Sequence, residues 1–194
     1  MGRLFARNDT AALVAFGQIC FLMMMASCLA ITPSQLAVKR GLSFYGNHLQ
    51  TIVPYCLGFA LCVGLTALGL RRLAPVDAFR TRLRIALGAV LILMSLIPLT
   101  PYSVDQIFDY LHTVFAATLF AAAASLGTWL ALWVLRSRLA YWALAAQAVS
   151  GLFALTAQLG WHDYMIPSQL AFQVSFAVLV VLGLVKRSTL ARCE

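Results

Sequence analysis

Asp105, Asp109 and His112 are spaced i, i+4 and i+7, so on a helix they line one face. A histidine with a carboxylate beside it can act as a general base and its orienting partner. A second stripe, Gln147, Gly151, Ala154, Gln158 and His162, could bring another imidazole to the same place, and Gln169 and Gln173 lie one helical turn apart further along. On this pattern Asp109, His112 and His162 are the candidate catalytic residues, and Asp105, Tyr110, Gln158, Gln169 and Gln173 are candidates for ligand contact. His48, His112 and His162 could also hold zinc and leave one position for water. Their spacing gives a metal little support: there is no HxxxH or HExxH, and Asp109-x-x-His112 is the one His–carboxylate pair a helical turn apart. No Gly-x-Ser-x-Gly elbow marks a serine nucleophile.

The elements that must position these residues follow from composition. Of 194 residues, 62% are hydrophobic and only 10% charged, with a mean hydropathy of +0.90. That is too little charge to cover a soluble domain, and the apolar residues come in long runs, as in a chain whose solvent is lipid. Backbone groups in lipid must be satisfied within their own segment, which leaves helices. The runs predict an all-α, six-transmembrane-helix bundle over residues 1–194, with no appended soluble domain. Its spans lie near residues 11–32, 51–70, 83–99, 108–135, 139–160 and 167–185, with an outer interfacial segment over 33–50. Each span approaches the roughly 20 residues needed to cross the hydrocarbon.

Several local features refine this plan. The length of the fourth span implies tilt or a projecting end. Its small residues, Ala116, Ala117, Ala121 to Ala124 and Gly127, place it at the centre of the bundle. Pro98 marks the exit of the third span. Thr32, Pro33 and Gly41 read as the cap, first residue and terminator of a two-turn interfacial helix, followed by a turn at Tyr45-Gly46-Asn47. The five cysteines form no CxxC pair and read as small packing residues. Met25-Ala26-Ser27-Cys28 loosely matches a lipoprotein cleavage box, but the apolar run continues past it, as in an uncleaved first helix.

Charge gives the orientation. With the N-terminus inside, Arg3, Arg7, Arg71, Arg72, Arg80, Arg82, Arg84, Arg136, Arg138, Lys186, Arg187 and Arg192 are cytoplasmic, and only Lys39 and Arg40 are outside. Such a split over short loops predicts a multi-pass protein of the plasma (inner) membrane with both termini cytoplasmic. The same topology accounts for the net charge of +8, so nucleic acid is not an expected partner. It also gathers His48, His112, His162, Asp105, Asp109 and Asp163 at outer ends of spans, with Tyr45, Tyr55, Tyr102, Tyr110 and Tyr164 near them.

Three readings of this outer cluster stand side by side. Asp109 and His112 could form an interhelical hydrogen-bond knot, with His162 in an outer loop. The cluster could line a pocket for a lipid headgroup or lipid-linked ligand, made of Asp109, His112, Gln158, His162, Gln169 and Gln173. It could also be the active site of a membrane hydrolase, with or without zinc. The expected partners are membrane lipids, with a membrane protein or a second copy of the chain as further candidates, and a small accessory subunit without chemistry of its own is an alternative to both.

The segment Asp109 to Phe120, DYLHTVFAATLF, followed by a sixth span opened by Gln169, resembles a bacterial and archaeal six-helix membrane group, domain of unknown function family 998. It is similar in layout to FRAG/DRAM/Sfk membrane proteins, in which a histidine opens the fourth helix and Ala and Phe follow at helical spacing. The resemblance covers about 15 residues of motif plus the six-span layout. It implies a compact bundle with a polar outer mouth at His112, and no particular reaction.

Overall fold

A computed structural model describes the backbone of residues 2–34, 41–73, 78–102 and 104–190, and side chains within residues 10–186 of these. It is all-helical where described, with α1 Gly2–Ile31, α2 Ile52–Arg72, α3 Ala78–Leu99, α4 Gln106–Trp129, α5 Arg138–Gln158 and α6 Met165–Leu190. A 3₁₀ helix, Leu42–Asn47, precedes α2, and a π-helical segment, Leu130–Leu135, continues α4. Among the described residues, six helices are long and apolar enough to cross a membrane. The expected interfacial helix over 33–41 lies mostly outside the described residues, as do Lys39 and Arg40.

Several helices outrun the apolar runs that announced them. α3 starts at Ala78 and takes in Arg80, Arg82 and Arg84, and α6 continues to Leu190. Hydropathy marks where a helix would leave hydrocarbon, whereas the i→i−4 ladder continues for as long as the residues favour it. Pro98 sits in the last turn of α3, next to its end at Leu99.

Successive helices run antiparallel. α1 and α2 form the most extensive pair and are matched along their length. Thr10 Oγ1 donates to Gly69 O (3.4 Å), Gln18 Nε2 to Cys62 Sγ (3.3 Å) and Cys28 Sγ to Thr51 O (3.6 Å). Glycine permits this closeness: a Cβ on Gly17 would stand 3.2 Å from the Cys62 carbonyl oxygen, and one on Gly58 would stand 2.9 Å from Met24 Cβ. Lipid offers no hydrophobic drive between helices, so such close packing supplies much of their attraction.

The centre belongs to α6 rather than to α4. α6 packs on α1, α4, α5 and the π segment, and buries Phe172, Phe176, Leu179, Val180 and Leu184. The small residues of α4 lie on more than one face. Ala117, Ala121 and Ser125 are exposed, while Ala123 and Gly127 meet Gln147 of α5. Gln147, 1% exposed, donates from Nε2 to Ala123 O (3.2 Å), and its Oε1 abuts Gly127, where any Cβ would overlap it. Phe120 stacks on Phe172 at 4.2 Å over Gly151, joining α4, α5 and α6.

The described basic side chains collect at one end. Arg71, Arg72, Arg80, Arg82, Arg84, Arg136, Arg138 and Lys186 all occupy the ends of helices that meet there. Lys186 Nζ donates to the carbonyls of Val134 (2.9 Å) and Leu135 (2.8 Å), satisfying groups that the end of the π segment leaves open. Arg136 then reverses the chain with φ 45° and ψ 45°, and Ser137 caps α5 through Ala140 N (3.3 Å).

Candidate functional site

The opposite end carries the histidines. α4 begins there because Asp105, in extended conformation, accepts from Phe108 N at 2.9 Å. This is an N-cap, worth about 1 kcal/mol, and it gives the exposed Asp105 a structural role at the rim where ligand contact was expected. The next turn bears Asp109, half-buried, and one turn deeper lies His112, only 6% exposed.

His112 reaches across to α3. Its Nδ1 lies 2.6 Å from Thr100 O. That carbonyl lies just past the end of α3, beyond the reach of the helix's own N–H groups, with Pro101 following. The knot was expected to join Asp109 and His112; what is seen is His112 bonding across helices to the Thr100 carbonyl, so the carboxylate of Asp109 is not what orients its Nδ1. The ring of Tyr102 stands edge-on to His112 at 5.9 Å, and Asn47 Nδ2 donates to Tyr102 O, tying the 3₁₀ helix to the same corner.

The other candidates are engaged elsewhere. α5 ends at Gln158, and Gly160, with φ 83°, turns the chain away. The stripe thus keeps Gln147, Gly151 and Ala154 buried but leaves Gln158 exposed and puts His162 in a turn. There Tyr164 N donates to His162 Nδ1 (3.1 Å), so Nε2 carries the proton and donates to Thr156 Oγ1 (3.0 Å). Both ring nitrogens of His162 serve the α5–α6 turn. His48 Nδ1 contacts Phe44 O at 2.9 Å, and its ring lies over Phe44 at 3.8 Å. Tyr110 is 68% exposed. The zinc set of His48, His112 and His162 is not assembled: among the described residues no group of three His, Cys, Asp or Glu side chains could hold a metal ion.

The glutamines of α6 join elements together. Gln169 Oε1 accepts from Leu42 N at 2.8 Å, pinning the 3₁₀ helix over the bundle. Within that helix Tyr45 is fully buried, and loss of water pushes its hydroxyl above the ordinary tyrosine range. Gln173 Nε2 donates to Gln18 Oε1 at 2.6 Å, and Gln18 in turn donates to Cys62, so one hydrogen-bonded chain links α6, α1 and α2. Gln18 and Cys62 were not singled out as partners from the sequence, although Gln18 is the one amide within the apolar part of α1. In a double-mutant cycle of Gln18→Leu and Gln173→Leu, unfolding in detergent should give a coupling of about 0.5–1.5 kcal/mol. Additive single-mutant effects would show that the pair is not coupled.

The site that remains is the corner of Asp109, His112, Tyr102 and Asn47. It holds a fixed imidazole one turn below a carboxylate at the end of the bundle away from the basic cluster. Comparison with protein-family models, with curated proteins and with solved structures found no match.

Proposed function

We propose that this chain is a multi-pass protein of the plasma (inner) membrane, with both termini cytoplasmic, that recognises a lipid or lipid-linked ligand from the outer leaflet at the His112 corner. The orientation rests on the basic cluster at one end of the bundle, which the positive-inside rule puts in the cytoplasm. The likeness of Asp109 to Phe120 to family 998 belongs to the same reading.

The observation that carries the binding role is the posture of His112. An imidazole nearly buried at the end of the bundle, held through Nδ1 by a backbone carbonyl, presents Nε2 in a fixed direction. Such a second contact sets the tautomer and aim of histidines that bind or react through the other nitrogen. Interfacial side chains nearby, Tyr102, Val104, Ile107 and Tyr110, are exposed and would meet the acyl–headgroup boundary.

The test is co-purification. Protein extracted from its own membranes should retain lipid in native mass spectrometry, and His112→Ala should lose that lipid while Gln18→Leu, remote from the corner, keeps it. Equal retention by wild type and His112→Ala would refute the assignment.

A further inference from the structure

Resting on that reading, the geometry points to the chemical class of the ligand: we infer that Nε2 of His112 accepts a hydrogen bond from a primary ammonium group, making the corner a site for amine-bearing headgroups. Nδ1 faces a carbonyl oxygen at 2.6 Å. A carbonyl can only accept, so Nδ1 carries a proton, and whenever the ring is neutral Nε2 carries a lone pair. Nε2 has no hydrogen-bond partner among the described residues. His112 keeps 6% of its surface exposed, and Nε2 is the nitrogen that the fold leaves to accept.

The surroundings select the kind of donor. Asp109 lies one turn above on the same face, and Asp105 one turn further at the rim. The described basic side chains all lie at the other end; Lys39 and Arg40, which the expected topology puts at this one, lie outside the described residues. A phosphate or carboxylate would meet a lone pair under two carboxylates and be repelled. A quaternary choline headgroup is cationic but has no N–H to give. A primary ammonium satisfies both conditions, donating to Nε2 and standing in the field of Asp109.

The experiment uses the full chain at pH 8, where an ordinary histidine is neutral, and measures retention in native mass spectrometry of lipids with matched acyl chains. Phosphatidylethanolamine should be retained about tenfold over phosphatidylcholine and phosphatidylglycerol, the scale of one hydrogen bond to a charged group. That preference should vanish in His112→Ala and fall several-fold in Asp109→Asn. Competition by water-soluble glycerophosphoethanolamine would show that the headgroup suffices, and lack of competition that the intact lipid is needed; the ammonium is bound in both cases. Preference for phosphatidylglycerol or phosphatidylcholine, or an ethanolamine preference that survives in His112→Ala, overturns the inference. If retention depends on His112 but ignores the headgroup, the lipid-binding reading stands and the ammonium falls. If no lipid depends on His112, the lipid-binding reading itself falls. The wild-type comparison decides the headgroup question even where His112→Ala fails to fold.

Discussion

Gly58→Leu should cost the protein about 3 kcal/mol and lower its midpoint of thermal unfolding in detergent by several degrees, whereas Gly64→Leu on the same helix should change it by less than about 0.5 kcal/mol. The contrast comes from what each Cβ would meet. At Gly58 it would stand 2.9 Å from Met24 Cβ, an atom fixed by the backbone of α1, and 3.2 Å from Met25 Cε. At Gly64 nothing lies within 4 Å. A flexible side-chain end could swing away, but Met24 Cβ moves only if the two helices separate. Separation would also loosen the Gln18–Cys62 and Cys28–Thr51 contacts along the same seam. Equal behaviour of the two variants would mean that α1 and α2 are not packed as closely as described.

The second large effect belongs to His112. Removing the ring in His112→Ala leaves the Thr100 carbonyl unpaired and opens a space beside Tyr102, at a cost of about 2–4 kcal/mol. Two further substitutions separate the causes. His112→Phe restores volume but no donor, and should stay destabilised by about 1–3 kcal/mol. His112→Gln supplies an amide N–H toward Thr100 O and should recover much of the loss. A ranking in which Phe outperforms Gln would show that the residue matters for packing, not for the α3–α4 hydrogen bond. Unfolding by denaturant or heat in one detergent gives all three values on one scale.

The division between what was legible in the sequence and what was not has a physical basis. The six long apolar runs and the basic pairs Arg71-Arg72 and Arg136-x-Arg138 are properties of composition along the chain, and they mark helices and their common end without knowledge of any partner. The face shared by Asp109 and His112 follows from the helical period alone, and both sit on it. Partners across helices are a different matter. The atom that holds His112 is a backbone carbonyl, which every residue carries, so no side-chain pattern could announce Thr100. Gln173 was visible as an amide within an apolar run, but its mate Gln18 lies 155 residues away. His162 was assigned to a stripe that the chain abandons at Gly160, because a helical period predicts a face only while the helix lasts. The centrality expected of α4 failed for a related reason: small residues permit close approach, but which helix takes the centre depends on how all six pack. Here α6, with Phe172, Phe176 and Leu179, fills it.

Much of the polar inventory at the histidine end thus serves the fold. Asp105 caps α4, His162 ties the α5–α6 turn, Gln169 pins the 3₁₀ helix and Gln173 joins three helices. His112 serves it too, through Nδ1, and the proposed ligand contact would use the other nitrogen of the ring.

The most direct test of this account is the protonation pattern of that ring. Nitrogen-15 NMR of histidine-labelled protein in phosphatidylethanolamine nanodiscs at pH 8, with His112 assigned by its loss in His112→Gln, should show the proton on Nδ1. Nε2 should appear as an unprotonated nitrogen whose signal shifts when phosphatidylcholine replaces phosphatidylethanolamine. A proton on Nε2, or an Nε2 signal indifferent to the headgroup, would contradict it.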